Sequence, residues 1–211
     1  DEHGVVVQDD GGIDGVSVAS QDGSAPNAGP VLGVGDDVAG GTGINLGQST
    51  IPTGEGENAG FLVGNVILLE GIESIGPRAF HSCVGLQEIT VPNSVKEMGV
   101  RCFYKCGNLK QVSVGTGLES IQPYTFYDCT SLQSMDVPGN VRSIGKYAFR
   151  GCTALKQVTL SEGVERVEDY AFVRCESVVN LAIADSVKHI GNFAFRGMTE
   201  LKSVHLGANV A

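Results

Sequence analysis

Cys83, Cys106, Cys129, Cys152 and Cys175 follow one another at intervals of 23 residues, and Cys102 lies off that ladder. Thiols at regular spacing could cross-link, hold a metal or act as nucleophiles. A ladder of equivalent positions argues against the first two. Its side chains point the same way into one core, and parallel Cβ vectors suit a disulfide poorly. Met198 takes the sixth slot, as a soft apolar side chain in a core column would. Buried free thiols are therefore expected. Cys102 precedes Cys106 by four residues, but no third or fourth ligand lies nearby to complete a zinc site.

The histidines offer no better start for chemistry. On the 23-residue register beginning at residue 61, His81, His189 and His205 fall at positions 21, 14 and 7, on different faces. Asp136 shares position 7 with His205, yet three units separate them, roughly 14 Å at strand spacing. That is far beyond the reach of a base and its orienting partner. His3 stands apart, and no nucleophile elbow, Walker motif or H-E-x-x-H occurs. DDGGIDG at 9–15 and GGTGINLGQ at 40–48 are similar to calcium-binding glycine-aspartate turns, each as a single imperfect copy. They leave a calcium-dependent binding module as a remote alternative. No catalytic, cofactor-binding or metal-ligating residue is assigned, and no cofactor is expected.

The elements that would position any site repeat with the cysteines. Full units span 61–83, 84–106, 107–129, 130–152, 153–175 and 176–198, with a partial seventh at 199–211. Position 6 reads Val66, Ile89, Val112, Met135, Val158, Leu181, Val204, and position 8 Leu68, Val91, Val114, Val137, Leu160, Ile183, Leu206. Position 20 is always phenylalanine: Phe80, Phe103, Phe126, Phe149, Phe172 and Phe195. One 23-residue coil cannot bury these side chains alone, so equivalent coils must stack over a continuous core. The L-x-x-I-x-V stretch predicts a short strand, a V-x-x-I-G piece predicts a second, and A-F-x-x-C predicts a short helical or 3₁₀ turn. Six coils at about 4.8 Å would make a stack of roughly 30 Å.

The unit C-x-x-L-x-x-I-x-V-P-x-S-V-x-x-I-G-x-x-A-F-x-x-C resembles the BspA-like (Treponema pallidum-type) leucine-rich repeat, and residues 129–152, CTSLQSMDVPGNVRSIGKYAFRGC, match it most closely. The resemblance covers about 61–211. It implies a right-handed leucine-rich-repeat solenoid that binds other proteins, with no shared catalytic residues to carry over. It also implies a place at the cell surface or outside the cell.

Residues 1–60 follow other rules. They hold 15 of the 30 glycines and ten acidic residues, with no Lys, Arg, Cys or aromatic residue. The repeats carry 14 acidic and 14 basic residues, so the whole net charge of −10 comes from this acidic segment. Its composition offers little apolar area to offset ordering entropy, and it reads as an extended or linker segment. The runs Val5–Val7 and Val31–Val34 could still form edge strands. The sequence opens on Asp1 and breaks off at Ala211 within the seventh repeat. A fragment or processed form is expected, with other proteins ordering residues 1–60 and covering the open C-terminal end. The chain has no apolar run of about 18 residues and is not read as spanning a membrane. Without a basic stripe it is not expected to bind nucleic acid.

Two surfaces remain for binding. Outward positions 5 and 7 of the first strand form a small, polar ribbon that includes Gln111, Ser134, Asp136, Gln157, Asn180 and His205. Position 18 carries Tyr124, Tyr147, Tyr170 and Phe193 where earlier repeats have Arg78 and Arg101. Aromatic residues are enriched at interfaces, which makes this edge a candidate contact. The expected function is a non-catalytic protein–protein interaction scaffold, a structural or accessory subunit of a larger assembly inside a cell or organelle. A secreted or cell-surface adhesin that binds host or matrix protein is the alternative.

Overall fold

The structure, a computed structural model, describes residues 34–35, 42–44, 50–51, 64–68 and 70–210. Two series of short parallel strands run through the repeats. The first is β4 (Gly64–Leu68), β6 (Leu86–Val91), β8 (Gln111–Val114), β10 (Asp136–Val137), β12 (Gln157–Leu160), β14 (Asn180–Ile183) and β16 (Ser203–His205). The second is β5 (Ser74–Ile75), β7 (Glu97–Met98), β9 (Ser120–Ile121), β11 (Ser143–Ile144), β13 (Arg166–Val167) and β15 (His189–Ile190). Neighbouring coils pair their equivalent strands in parallel, as Ile89 does with Val112 and Leu160 with Ile183, except that the second series is interrupted between β7 and β9. The first series narrows to a single bridge, Gln111 to Ser134, between β8 and β10.

The coil pattern continues N-terminal to residue 61. Strand β2 (Thr42–Ile44) pairs in parallel with β4, and β3 (Thr50–Ile51) with β5. β1 (Val34–Gly35) closes this edge antiparallel to β2, so the valine-rich run at 31–34 contributes an edge strand at Val34. The Val5–Val7 run and the 9–15 turn lie outside the described residues. Of 40–48, only Thr42–Ile44 is described, as strand.

Period-two burial explains the first series. In β12, Gln157 is exposed, Val158 buried, Thr159 half-buried and Leu160 buried. β-branched side chains suit this pleated, half-buried setting. Inside, the phenylalanine column stacks along the whole array. Phe103 and Phe126 lie 5.3 Å apart with rings 1° from parallel, and Phe149 and Phe172 lie 4.8 Å apart at 3°.

The segment expected to form a short helical turn is a third ladder. Backbone N–H groups at positions 18, 20 and 22 donate to carbonyls at 17, 19 and 21 of the next coil: Tyr124 to Lys146 (3.0 Å), Phe126 to Ala148 (2.7 Å), Asp128 to Arg150 (2.7 Å). Between them run local turns, such as His81 N–H to the Arg78 carbonyl at 3.0 Å. Alternation of this kind needs left-handed residues, and positions 18 and 22 supply them. φ is 61° at Tyr124, 54° at Asp128, 57° at Tyr147 and 74° at Gly151. A helix would aim every N–H along its own axis; here every second one aims along the stack.

Side chains close the remaining bends. Glu70 accepts the backbone N–H groups of Asn93 and Ser94, and Asn93, Glu162 and Asp185 serve the next coil in the same way at Thr116, Asp185 and Ala208. Position 10 therefore favours side chains with an accepting oxygen.

Candidate interaction surfaces

The strand ribbon presents its polar side chains outward. Gln111, Ser134, Asp136, Gln157, Asn180 and His205 are all exposed, while Val112, Met135, Val158 and Leu181 beneath them are buried. Towards the C-terminal end the ribbon holds a depression of about 260 Å³ whose lining includes Gln157, Asn180 and His205. Part of its hydrogen-bonding capacity is spent internally. Ser203 Oγ donates to Asn180 Oδ1 at 2.6 Å, and Gln157 Nε2 donates to Thr159 Oγ1 at 3.0 Å. The remaining groups face water and can meet a partner.

The turn edge carries the aromatic residues. Tyr124, Tyr147, Tyr170 and Phe193 stack in sequence, with centroids 5.2, 4.9 and 5.3 Å apart. The three tyrosines are half-buried, and Phe193 is 54% exposed. Their ring faces are spent on one another and on cations. Arg101 sits 5.1 Å above Tyr124, Lys146 5.5 Å from Tyr147, and Arg196 5.4 Å from Phe193. What the ladder offers a partner is ring edges and hydroxyls.

A parallel column of planar side chains at position 21 is not among the surfaces expected from the sequence. His81 stacks on Tyr104 at 5.0 Å, Tyr104 on Tyr127 at 4.7 Å, and the Arg150 guanidinium lies 4.6 Å over Tyr127 and donates to its hydroxyl. Burial raises the Tyr127 pKa, partly offset by Arg150. The planar side chains recur at one repeat position, which is the signal that could have found them.

The edge is also charged, although the repeats balance overall. Positions 17–22 hold Arg78, Arg101, Lys105, Lys146, Arg150, Arg174 and Arg196 against only Asp128 and Asp169.

All six thiols are free and buried. Four of the five ladder thiols donate to the phenylalanine carbonyl one coil back: Cys106 to Phe80 at 2.9 Å, Cys129 to Phe103 at 3.1 Å, Cys152 to Phe126 and Cys175 to Phe149 at 3.2 Å. A hydrogen bond with Cys106, then burial, raises the Cys83 pKa; burial raises those of Cys102, Cys129 and Cys152 and pushes Cys175 up to about 12. A thiol held in its protonated form is a poor nucleophile and metal ligand. The ladder is core. Among the described residues no three His, Cys, Asp or Glu side chains are grouped to hold a metal, and no helix is long and apolar enough to cross a membrane.

Comparison with known proteins agrees with this geometry. The family model described as the BspA type leucine rich repeat region matches residues 59–177 and 119–211, with six copies. A leucine-rich repeat protein from Bacteroides ovatus is 32% identical with a TM-score of 0.63, over 68% of this chain and 37% of that one. The leucine rich repeat protein of T. pallidum superposes with a TM-score of 0.65 at 24% identity, over 86% of this chain and 81% of its own. A protein from Faecalibacterium prausnitzii, described as a leucine rich cell surface protein, gives 0.65 at 22% identity, over 86% of this chain and 54% of its own. The last two likenesses concern the fold. This chain therefore spans about a third of the length of the Bacteroides protein and about half of the Faecalibacterium one. No curated protein matches it. The repeat pattern, the stacked parallel strands and the family match agree, and the chain belongs to the BspA type leucine-rich-repeat family.

Proposed function

We propose that the chain is a non-catalytic protein-binding scaffold that serves as a structural or accessory subunit of a larger assembly. The observation that carries this reading is the strand ribbon. Exposed Gln111 faces Ser134 across a single bridge and exposed Gln157 pairs with Asn180 between β12 and β14, all at one repeat position over a packed core, a nearly neutral hydrogen-bonding platform. Such a face loses little conformational freedom when a partner docks, which favours binding over chemistry. The tyrosine ladder from Tyr124 to Phe193 is the second contact assigned in this reading.

Lysines border the ribbon at position 4, among them the exposed Lys156 and Lys202. Cross-linking of the protein purified from its native source should join these lysines to a constant set of partners. A Ser134→Arg/Asn180→Arg double variant that still folds should lose those partners. Purification of the native chain alone, or undiminished partner capture by the variant, contradicts the scaffold reading. Recovery of an extracellular matrix protein in place of constant partners would favour the adhesin instead.

A further inference from the structure

The turn edge is electrostatically divided along the stack. In its C-terminal half three of the four cations have acidic partners: Lys146 lies 3.9 Å from Asp169, Arg150 3.7 Å from Asp128, and Arg174 3.6 Å from Glu176, while Arg196 stacks on the Phe193 ring. In the first two coils Arg78, Arg101 and Lys105 share one small area, and among the described residues none of them forms an ion pair.

Several observations place these side chains together. Arg78 and Arg101 are equivalent residues of adjacent coils, both left-handed at φ 58° and 59°. Tyr104 is the centre: His81 stacks on it, the Arg101 guanidinium is 5.9 Å from its ring, and Lys105 Nζ is 5.5 Å away. His81 is shifted towards its neutral form, first by burial and then by the fields of Arg78, Lys105 and Arg101. Two of the exposed large apolar residues flank the cations. Val100 is 41% exposed, and its carbonyl accepts the Arg78 N–H at 3.0 Å; Val84 is 52% exposed and follows the same turn.

We propose that Arg78, Val100, Arg101, Tyr104 and Lys105 form a docking site for an acidic segment of another protein that also carries apolar side chains. Carboxylates would pair with the three cations, and the apolar residues would cover Val100 and Val84. Charge complementarity selects the occupant. A nucleic acid or polyanionic glycan would need a longer run of cations than these three. Stacking of bases or sugars is disfavoured too, because His81 and Tyr127 occupy the faces of Tyr104. The site continues the position-18 column N-terminal to its aromatic ladder, with Arg101 over Tyr124, lies apart from the strand ribbon, and deepens the protein-binding reading on which it rests.

The test is fluorescence anisotropy with the full chain and a short fluorescein-labelled peptide composed of Asp, Glu and Leu. Saturable binding is expected. A folded Arg78→Glu/Arg101→Glu/Lys105→Glu variant should bind roughly tenfold or more weakly. A Lys146→Glu/Arg174→Glu variant on the same edge should bind as the parent does. Absence of saturable binding, an equal loss in both variants, or preferential binding of a sulfated oligosaccharide would overturn the proposal. So would binding that appears only after the acidic residues of 1–60 are changed to amides, which would give the site to the chain's own segment. If the peptide fails while the ribbon still captures its partners, the site is discarded and the scaffold reading stands.

Discussion

Cys129 directs its thiol at the carbonyl oxygen of Phe103, 3.1 Å away in the preceding coil. That oxygen also accepts the Cys106 N–H at 3.2 Å, so the thiol fills the second acceptor site of a buried carbonyl. Cysteine thereby combines the size of a small apolar side chain with a donor. Cys129→Val retains apolar volume and deletes the donor. It should cost about 1–2 kcal/mol of unfolding free energy in urea titration. A change below about 0.3 kcal/mol would mean that the S–H contributes nothing.

Raised thiol pKa values make the fold sensitive to alkali. Burial holds Cys102, Cys129 and Cys152 well above the ordinary thiol value, and Cys175 at about 12. In the unfolded chain these thiols ionise near 9.0, while in the folded chain they keep their protons. Above that pH the unfolded state therefore binds fewer protons, and stability falls as pH rises. For Cys175 the loss runs from about 9 to about 12, and each such thiol contributes up to ~1.4 kcal/mol per pH unit. Denaturation midpoints measured on either side of pH ~9 should decline on the alkaline side only. Cys129→Val should flatten that decline, and an identical slope would show that Cys129 does not titrate with unfolding.

The phenylalanine column predicts a graded series. Phe149 is fully buried between Phe126 and Phe172, at 5.2 and 4.8 Å, whereas Phe195 is only half-buried against Phe172 at 5.6 Å. Phe149→Ala should lower stability by about 3–5 kcal/mol and Phe195→Ala by distinctly less. Equal costs in thermal or chemical unfolding would contradict a core that is continuous along the stack.

The strands and this column are legible in the sequence because every coil repeats the same burial. Leu86, Leu109, Leu132 and Leu155 need no structure to be placed inside. The turn edge is harder to read. Left-handed residues usually announce themselves as glycine, but positions 18 and 22 use Arg78, Tyr124, Lys105 and Arg174 as well as Gly151. Inter-coil hydrogen bonds hold those conformations, and no local sequence signal reports them. Charge is hidden in the same way. Fourteen acids against fourteen bases suggest a neutral solenoid, yet Arg101 and Lys105 converge on Tyr104 with Arg78 beside its stacking partner His81, while acids such as Glu70, Glu162 and Asp185 are drawn to position 10 to accept backbone N–H groups.

Two glycines separate the cost of a backbone conformation from the cost of close approach. Gly151 and Gly163 both have positive φ, 74° and 107°. A Cβ on Gly151 would meet Asp128 Oδ1 at 2.2 Å, the far end of a side chain that can rotate away at the expense of its partly exposed ion pair with Arg150. A Cβ on Gly163 would meet the Gly139 carbonyl oxygen at 1.7 Å, and that backbone is fixed by the neighbouring coil. Gly151→Ala should therefore cost about 1–2 kcal/mol, the penalty of a left-handed alanine. Gly163→Ala must also push two coils apart and should lose more, with reduced hydrogen-exchange protection at Val164 and Glu165 on the far side of the bend. If the two variants unfold at the same denaturant concentration, the contact between Gly139 and Gly163 does not constrain the stack.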